Sequence, residues 1–336
     1  MSGTSINGPI AKDPSTKTEN SRHGYHTSKP NKDSRNLDFI LRNGLAGGVA
    51  GCAAKTIVAP LERIRILFQT SHSHFVQYST RWDGFVQAAR HIRTSYGILA
   101  LFKGHSASLV RVFPYAGINF LAYEQFRAAI ITSSEKEAPW RRFLCGSMAG
   151  ATSTLVTYPL ELIRTRLAFE TVQKNPSSWI GISRKMYFEG GSGSLSNLYR
   201  GIAPTMLGIL PYAGTSFLTH DLLRDWLRTP ALAPYTLEAP SSTRLTAVAQ
   251  LSCGAVAGIV AQTISYPIDI IRRRIQVGSV VDVKSGILET AQRIFLERGV
   301  RGFYVGLTIG YVKMAPMVAT SFYVYDRMKR FLGLIE

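Results

Sequence analysis

Between residues 37 and 335 the chain alternates long apolar segments, rich in glycine and alanine, with shorter polar ones. No run of eighteen uncharged apolar residues stands out, so hydropathy alone does not identify membrane spans. Small residues four apart, such as Gly47 and Gly51, let helix backbones approach closely, as helices packed in lipid require. Because interior glycines destabilise soluble helices, their recurrence favours membrane helices over glycines merely tolerated in a soluble core.

The first 36 residues differ from the rest because they are polar and rich in turn-forming residues. They lack the apolar stretch of a signal peptide and the periodic, arginine-rich helix of a transit peptide. This composition predicts a disordered tail over residues 1–36.

Three copies of one pattern divide the apolar part of the chain. Pro60, Pro159 and Pro267 each follow a pair of glycines by thirteen and nine residues, and precede an acid by two residues and an arginine by five. Further on, a second glycine precedes a proline by ten residues and an acid by twenty, again in all three copies. Such agreement identifies a threefold repeat of roughly 100 residues. The predicted repeats cover residues 37–132, 139–230 and 245–335.

Each repeat is predicted to form a long helix, a polar segment with a short helix, and a second long helix. On the first long helix, Lys55, Glu62, Arg65 and Gln69 are spaced seven, three and four residues apart, which places them on one stripe. Charges in a membrane span are costly and are expected to face a water-filled interior, paired with one another. The stripe therefore predicts a polar cavity between six membrane helices.

The first long helices each bring one acid and one arginine to the same level. We expect these charges, named here the first ring, to pair around a central axis as Glu62 with Arg164, Glu161 with Arg272, and Asp269 with Arg65. The proline before each acid is expected to kink its helix and to draw the three ends inward.

The second long helices carry another set of acids and bases near their ends, named here the second ring: Glu124, Arg127, Asp221, Arg224, Asp326 and Lys329. In a single repeat, solvated helix ends would explain such charges. Their recurrence in all three repeats favours a second breakable closure. Two closures at opposite ends of one cavity predict an alternating-access transporter.

The charge balance indicates an anionic partner, since 39 Lys and Arg residues against 21 Asp and Glu residues give a net charge of +18. Nucleic acid is disfavoured because many bases lie within apolar helices rather than along one exposed face with interleaved aromatics. An enzyme is disfavoured because the chain contains no phosphate-loop motif and no catalytic set. The three cysteines form no CxxC pair, so we expect free buried thiols and no metal site.

The proline motifs resemble the repeat signature of the mitochondrial carrier family, which continues to an aromatic–basic–glycine triplet. The corresponding triplets here end at Gly104, Gly201 and Gly306, although the third has Val305 in place of the base. Over about residues 37–335, the resemblance implies an all-α membrane protein, a threefold pseudo-symmetric bundle of six transmembrane helices with three short matrix helices. It also implies a multi-pass protein of the mitochondrial inner membrane.

The resemblance assigns roles to both rings. It implies that the first ring, with Gln69 and Gln276, is the matrix gate, and that the second ring, with Tyr123 and Tyr325, is the cytoplasmic gate. Leu67 replaces a base of the first motif and Ala168 replaces the glutamine of the second repeat, which predicts weaker gate contacts there. Cardiolipin phosphates are expected at five glycines, because helix N-termini offer free N–H groups to an anion. These glycines are Gly84, Gly104, Gly181, Gly201 and Gly306.

The substrate contacts of the family correspond to Arg111, Gly208 with Ile209, and Lys313, and Lys55 faces the same interior. Stretches such as FPYAGINFLAYEQFR resemble the branch of fungal coenzyme A carriers, also called the Graves disease carrier type. The glycine–isoleucine pair resembles an adenine contact, and the bases suit phosphates. The expected cargo is coenzyme A or a close precursor, with an adenine nucleotide as a candidate exchange partner. The alternative cargo is an adenine nucleotide itself. A monomer is expected because a threefold repeat can enclose a cavity alone.

Overall fold

The computed structural model describes residues 37–79, 81, 83–131, 139–170, 178–189, 193–229, 232–236, 245–278 and 286–334. The predicted tail, residues 1–36, lies outside the described residues. By its internal contacts the chain divides into a short unit, Met1–Leu41, and a large one, Arg42–Glu336. The short unit contributes only the first turn of one helix to the described residues, and all contacts reported below lie within the large unit.

Most of the described residues are helical, with short 3-10 turns between some of the α-helices. The α-helices, in chain order, are α1 (Leu37–Gln69), α2 (Gly84–Tyr96), α3 (His105–Ile130), α4 (Pro139–Phe169), α5 (Trp179–Tyr187), α6 (Ile202–Leu227), α7 (Ala233–Thr236), α8 (Ala247–Gly278), α9 (Ile287–Arg298), α10 (Leu307–Val312) and α11 (Met314–Phe331).

The long–short–long order predicted for each repeat is confirmed in the described residues. It is formed by α1, α2 and α3, then by α4, α5 and α6, and finally by α8, α9 and the pair α10–α11. The last long helix is divided at Lys313, three residues before Pro316, whose ring has no N–H to donate to the carbonyl of Val312. The division was not predicted from the sequence.

Three buried apolar cores occupy equivalent places in the three repeats. Each lies where the end of the first long helix packs against the short helix of its repeat. The cores contain Leu67 with Ile92, Leu162 with Met186, and Ile270 with Ile294. Burying each such side chain stabilises the fold by about 1.5–3 kcal/mol. The cores therefore fix the helix ends that carry the first ring.

Glycines in the left-handed region begin the second long helix of each repeat. Gly104, Gly201 and Gly306 have φ values of 81°, 83° and 80°, which other residues rarely adopt. A Cβ atom on Gly104 would also lie 2.7 Å from the carbonyl oxygen of Arg164. Backbone conformation and close packing thus account for these glycines independently of any ligand.

The long helices expose large apolar side chains away from the cores. On α4, Leu144, Met148 and Leu155 share one exposed face. Among the described residues, two segments are long and apolar enough to cross a membrane, Leu41–Gln69 and Val248–Gly278. The 26 residues of α3 would also span about 39 Å, against a hydrocarbon core of about 30 Å.

Candidate functional site

The structure brings together the three ion pairs predicted for the first ring. Arg164 pairs with Glu62 between α4 and α1, and Arg272 pairs with Glu161 between α8 and α4. The third pair is looser, with Nη2 of Arg65 lying 3.9 Å from Oδ2 of Asp269. The ring therefore joins all three first long helices, although unequally.

Two bases predicted as substrate contacts also reach first-ring acids. Nη1 of Arg111 lies 2.7 Å from Oε2 of Glu161, and Nζ of Lys313 lies 3.1 Å from Oε1 of Glu62. In this conformation these two carboxylates are each shared between a first-ring arginine and a base from a second long helix. The equivalent position in the second repeat is Gly208, which brings no charge to Asp269.

Two tyrosine–glutamine contacts brace the first ring from below. Gln69 donates from Nε2 to the hydroxyl of Tyr266 at 3.1 Å, and Gln276 donates to that of Tyr158 at 3.0 Å. Both tyrosine hydroxyls then donate to backbone carbonyls before the second long helices. The sequence analysis did not select these tyrosines, although each directly precedes a motif proline.

The third brace is missing because both of its positions are alanine. Ala59 stands where the other repeats have tyrosine, and Ala168 where they have glutamine. Both alanines line a small space between α1, α3 and α4. The first and second repeats therefore lack the hydrogen bond that a tyrosine and a glutamine would make at these positions, and the weaker gate contact expected at Ala168 remains a prediction.

Three arginines tie each repeat to the next beside the first ring. Arg63 donates from Nε to the carbonyl of Ala168 at 3.2 Å and from Nη2 to that of Glu170 at 3.1 Å. Arg166 donates to the carbonyl of Gln276 at 3.2 Å, and Arg274 donates to Oγ of Ser71 at 2.6 Å. Arg166 and Arg274 stand seven residues after their motif prolines, where the first repeat has Leu67. The first repeat makes the equivalent contact from Arg63 instead, one helical turn earlier.

A cavity of about 960 Å³ lies above the first ring. Its walls include four of the five predicted substrate residues, Lys55, Arg111, Gly208 and Ile209, and Asp269 and Arg272 lie at its ring end. Lys313 does not line this cavity, because its side chain reaches down to Glu62. The wall of the cavity extends from the first ring to Phe217 and His220 on α6.

The second ring lies at the carboxyl ends of the second long helices. Asp326 pairs with Arg330 within α11 at 2.9 Å, and Asp221 lies 3.9 Å from its neighbour His220. Nζ of Lys329 lies 4.9 Å from the ring centroid of Tyr325 on the same helix. These contacts stay within single helices, whereas those of the first ring join different helices. The remaining residues of this predicted gate are on the same helix ends: Tyr123, Glu124, Arg127 and Arg224.

The remaining predicted lipid positions, Gly84 and Gly181, lie in the first turns of the short helices α2 and α5. A Cβ atom on Gly84 would lie 1.7 Å from the carbonyl oxygen of Tyr78, so packing requires a glycine there. A Cβ atom on Gly181 would meet no described atom within 4 Å. Of these two positions, Gly181 can therefore be substituted with less disturbance of the fold, and a larger side chain there would restrict the access of a ligand to the start of α5.

Comparison with known proteins gives one matching family and close relatives. The family profile described as mitochondrial carrier protein matches residues 37–134, 135–231 and 243–335. Mitochondrial carrier protein LEU5 of Saccharomyces cerevisiae is 47% identical, over 92% of this chain and 95% of its own length. Solute carrier family 25 member 16 of Homo sapiens is 39% identical, over 88% and 90%. Mitochondrial carrier protein CoAc2 of Zea mays is 36% identical, over 92% and 90%.

Proposed function

Because this chain belongs to the mitochondrial carrier family, we propose that it moves coenzyme A, or a close precursor, into the matrix by alternating access. Members of this family are transporters rather than enzymes, and membership implies the mitochondrial inner membrane. We propose that the six long helices of the repeats at 37–132, 139–230 and 245–335 span that membrane, and that the protein works as a monomer. The exposed apolar face of α4 supports such a contact with lipid.

The excess of positive charge around the cavity is the observation that carries this proposal. The bases at the cavity and the first ring outnumber the acids Glu62, Glu161 and Asp269; they are Lys55, Arg65, Arg111, Arg164, Arg272, Arg273 and Lys313. A 3′-phosphate and a diphosphate together carry about three to four negative charges at neutral pH. Arginine forks match phosphate oxygens. The name CoAc of two maize relatives, which points to coenzyme A carriers, supports the same cargo.

Cargo binding would act directly on the first ring. Phosphates in the cavity would compete with Glu161 for Arg111, which lines the cavity. Lys313 would have to leave Glu62 and turn toward the cavity to reach them. These two contacts hold the ring acids from the cavity side. A ligand shifts a conformational equilibrium by its differential affinity for the two states. We assign the matrix gate to the first ring with Gln69 and Gln276, and the cytoplasmic gate to the second ring with Tyr123 and Tyr325. Loss of both contacts would weaken the matrix gate.

Gly208 and Ile209 are proposed to hold the adenine of the cargo, and Lys55, Arg111 and Lys313 to hold its phosphates. The same division of the cavity would suit an adenine nucleotide, which is the alternative cargo. Uptake of labelled coenzyme A, ADP and adenosine 3′,5′-bisphosphate into liposomes containing the purified protein separates the two.

We expect coenzyme A to be taken up fastest and Arg111→Ala to reduce its uptake about tenfold or more, because a charge-assisted hydrogen bond is lost. Arg90→Ala, on the exposed surface of α2, is the charge-matched control and should retain uptake. Faster uptake of ADP than of coenzyme A would favour the nucleotide alternative, and uptake of none of the three would refute both.

We further propose that cardiolipin binds at the helix starts marked by Gly84, Gly104, Gly181, Gly201 and Gly306. The physical basis is the set of free backbone N–H groups at each helix start. Gly181→Leu should lower the cardiolipin content of the purified protein, because its side chain would cover the start of α5. Unchanged cardiolipin content would remove the α5 site.

A further inference from the structure

Comparison of the three repeats shows that one acid of the first ring, Asp269, lacks the second basic partner that the other two acids have. Arg111, Gly208 and Lys313 each stand seven residues after the glycine that begins a second long helix. Arg111 contacts Glu161 and Lys313 contacts Glu62, so symmetry would place the side chain of residue 208 against Asp269. Glycine has no side chain to place there.

Asp269 consequently has a different environment from the other two ring acids. Its side chain is 40% exposed, against 17% for Glu62 and 5% for Glu161. Its nearest base is Arg65, at 3.9 Å, which is longer than a hydrogen bond. Among the residues that the structure describes, none donates a hydrogen bond to this carboxylate.

The open side of Asp269 faces the cavity. Asp269, Gly208 and Ile209 all line it. Gly208 lies against α8, because a Cβ atom built on it would lie 3.3 Å from Cγ2 of Ile268, the residue before Asp269. The long side chain that Arg111 and Lys313 supply in the other repeats is absent there, and we call this part of the cavity wall the notch. The notch offers a carboxylate that accepts hydrogen bonds, within a cavity that is otherwise rich in donors.

We propose that Asp269 is a specificity-determining residue that accepts a hydrogen bond from a neutral N–H donor of the cargo, the exocyclic amino group of its adenine base. This inference rests on the proposed transport of an adenine-containing cargo. A carboxylate repels phosphate and the carbonyl of a 6-oxopurine, whereas it attracts an amino group. The negative charge of Asp269 thus directs the phosphates toward Arg111 and Lys55, and the adenine base binds in the notch at Gly208.

The test compares two ligands that differ only at this group, adenosine 3′,5′-bisphosphate and its inosine counterpart, in competition binding to the purified protein. We expect the wild type to prefer the adenosine compound at least about tenfold. Asp269→Asn should reduce that ratio about tenfold, because its carboxamide can donate to the 6-oxo group. Loss of negative charge alone would change both affinities together and leave the ratio unchanged.

Glu161→Gln is the matched control, because it weakens the first ring without altering the notch. It should keep the wild-type ratio even where transport is impaired. As an independent variant, Gly208→Lys should supply the missing base to Asp269 and abolish the preference.

The outcomes separate this inference from the proposed function. If the wild type binds both compounds equally, or Asp269→Asn keeps the wild-type ratio, the role of Asp269 is refuted while an adenine-containing cargo still stands. If the wild type binds neither compound and does not bind coenzyme A, the proposed function fails, and the role of Asp269 fails with it.

Discussion

Single residues in equivalent positions have unequal surroundings, and this inequality gives the site its chemistry. Glu161 pairs with Arg272, Arg111 and, at 3.4 Å, Arg273, whereas Asp269 pairs with Arg65 alone among the residues that the structure describes. The three predicted ring pairs could be derived from the sequence because acid and base recur at fixed offsets. The contacts of Arg111 and Arg273 with Glu161 could not, because how far a side chain reaches between helices depends on their packing, which no offset along the chain fixes.

Charge reversal tests whether Glu161 acts through its pair with Arg272. Glu161→Arg should nearly abolish transport, since it would place like charges against several arginines. Arg272→Glu added to it should restore part of the activity, because the interaction belongs to the pair. Rescue should remain partial, since Arg111 and Arg273 still face the new arginine. Liposome uptake by both single variants and the double variant is the measurement; a double variant no better than either single one rules out this pairing.

A buried histidine next to α1 predicts a loss of stability in acid. Burial, followed by nearby His74 and Arg63, lowers the pKa of His72 to about 4. The backbone N–H of His74 donates to its Nδ1 at 3.4 Å, which requires that nitrogen to be unprotonated. The pKa of an unfolded histidine is about 6.5. The unfolded chain therefore binds more protons between about pH 6.5 and pH 4, and the free energy of unfolding falls as pH decreases through that range.

Thermal melting of the detergent-solubilised protein between pH 7 and pH 4 checks this expectation. The contribution of His72 should be complete above about pH 6.5, and His72→Phe should show a smaller decrease in Tm toward pH 4. Parallel curves for the two proteins would show that another group causes the acid sensitivity.

At the scale of elements, ties between the ends of first long helices hold the closed side together. The sequence predicted these helices and their apolar faces from recurring glycines and prolines. It missed the tie from Arg63, because the family motif places the base at the position of Leu67, and Leu67 is instead fully buried in an apolar core. It also missed the division at Lys313, since Pro114 and Pro211 occupy matching positions inside continuous helices.

Removal of the Arg63 tie should destabilise the closed conformation. Arg63→Ala leaves the carbonyls of Ala168 and Glu170 without these donors, at a cost of about 2 kcal/mol or more. We expect a lower Tm in detergent, with Arg63→Lys intermediate because a single ammonium group cannot reproduce the fork. The exposed Arg90→Ala variant should melt like the wild type. A wild-type Tm for Arg63→Ala would show that α1 and α4 are held by other contacts.

In the molecule as a whole, three repeats of one sequence pattern produce a cavity closed at one end. The assignment to the mitochondrial carrier family is confirmed, as is the all-α architecture of the described residues. Repetition made these predictable, because each weak local signal occurs three times at matched offsets. The conformation was not predictable, because the sequence is compatible with either end closed. In the described part of the chain, the ion pairs of the first ring join different helices, whereas those of Asp221 and Asp326 stay within one helix.

The central claim is that basic residues of the cavity bind the phosphates of coenzyme A. Its most direct test is a competition measurement with coenzyme A and 3′-dephospho-coenzyme A. It compares the wild type with Lys55→Ala, Arg111→Ala and Lys313→Ala. The wild type should prefer the 3′-phosphorylated compound about tenfold or more, and one of the three variants should lose that preference while the others keep it. If the wild type ignores the 3′-phosphate and binds ADP or ATP far more tightly, the claim is contradicted and an adenine nucleotide is the cargo.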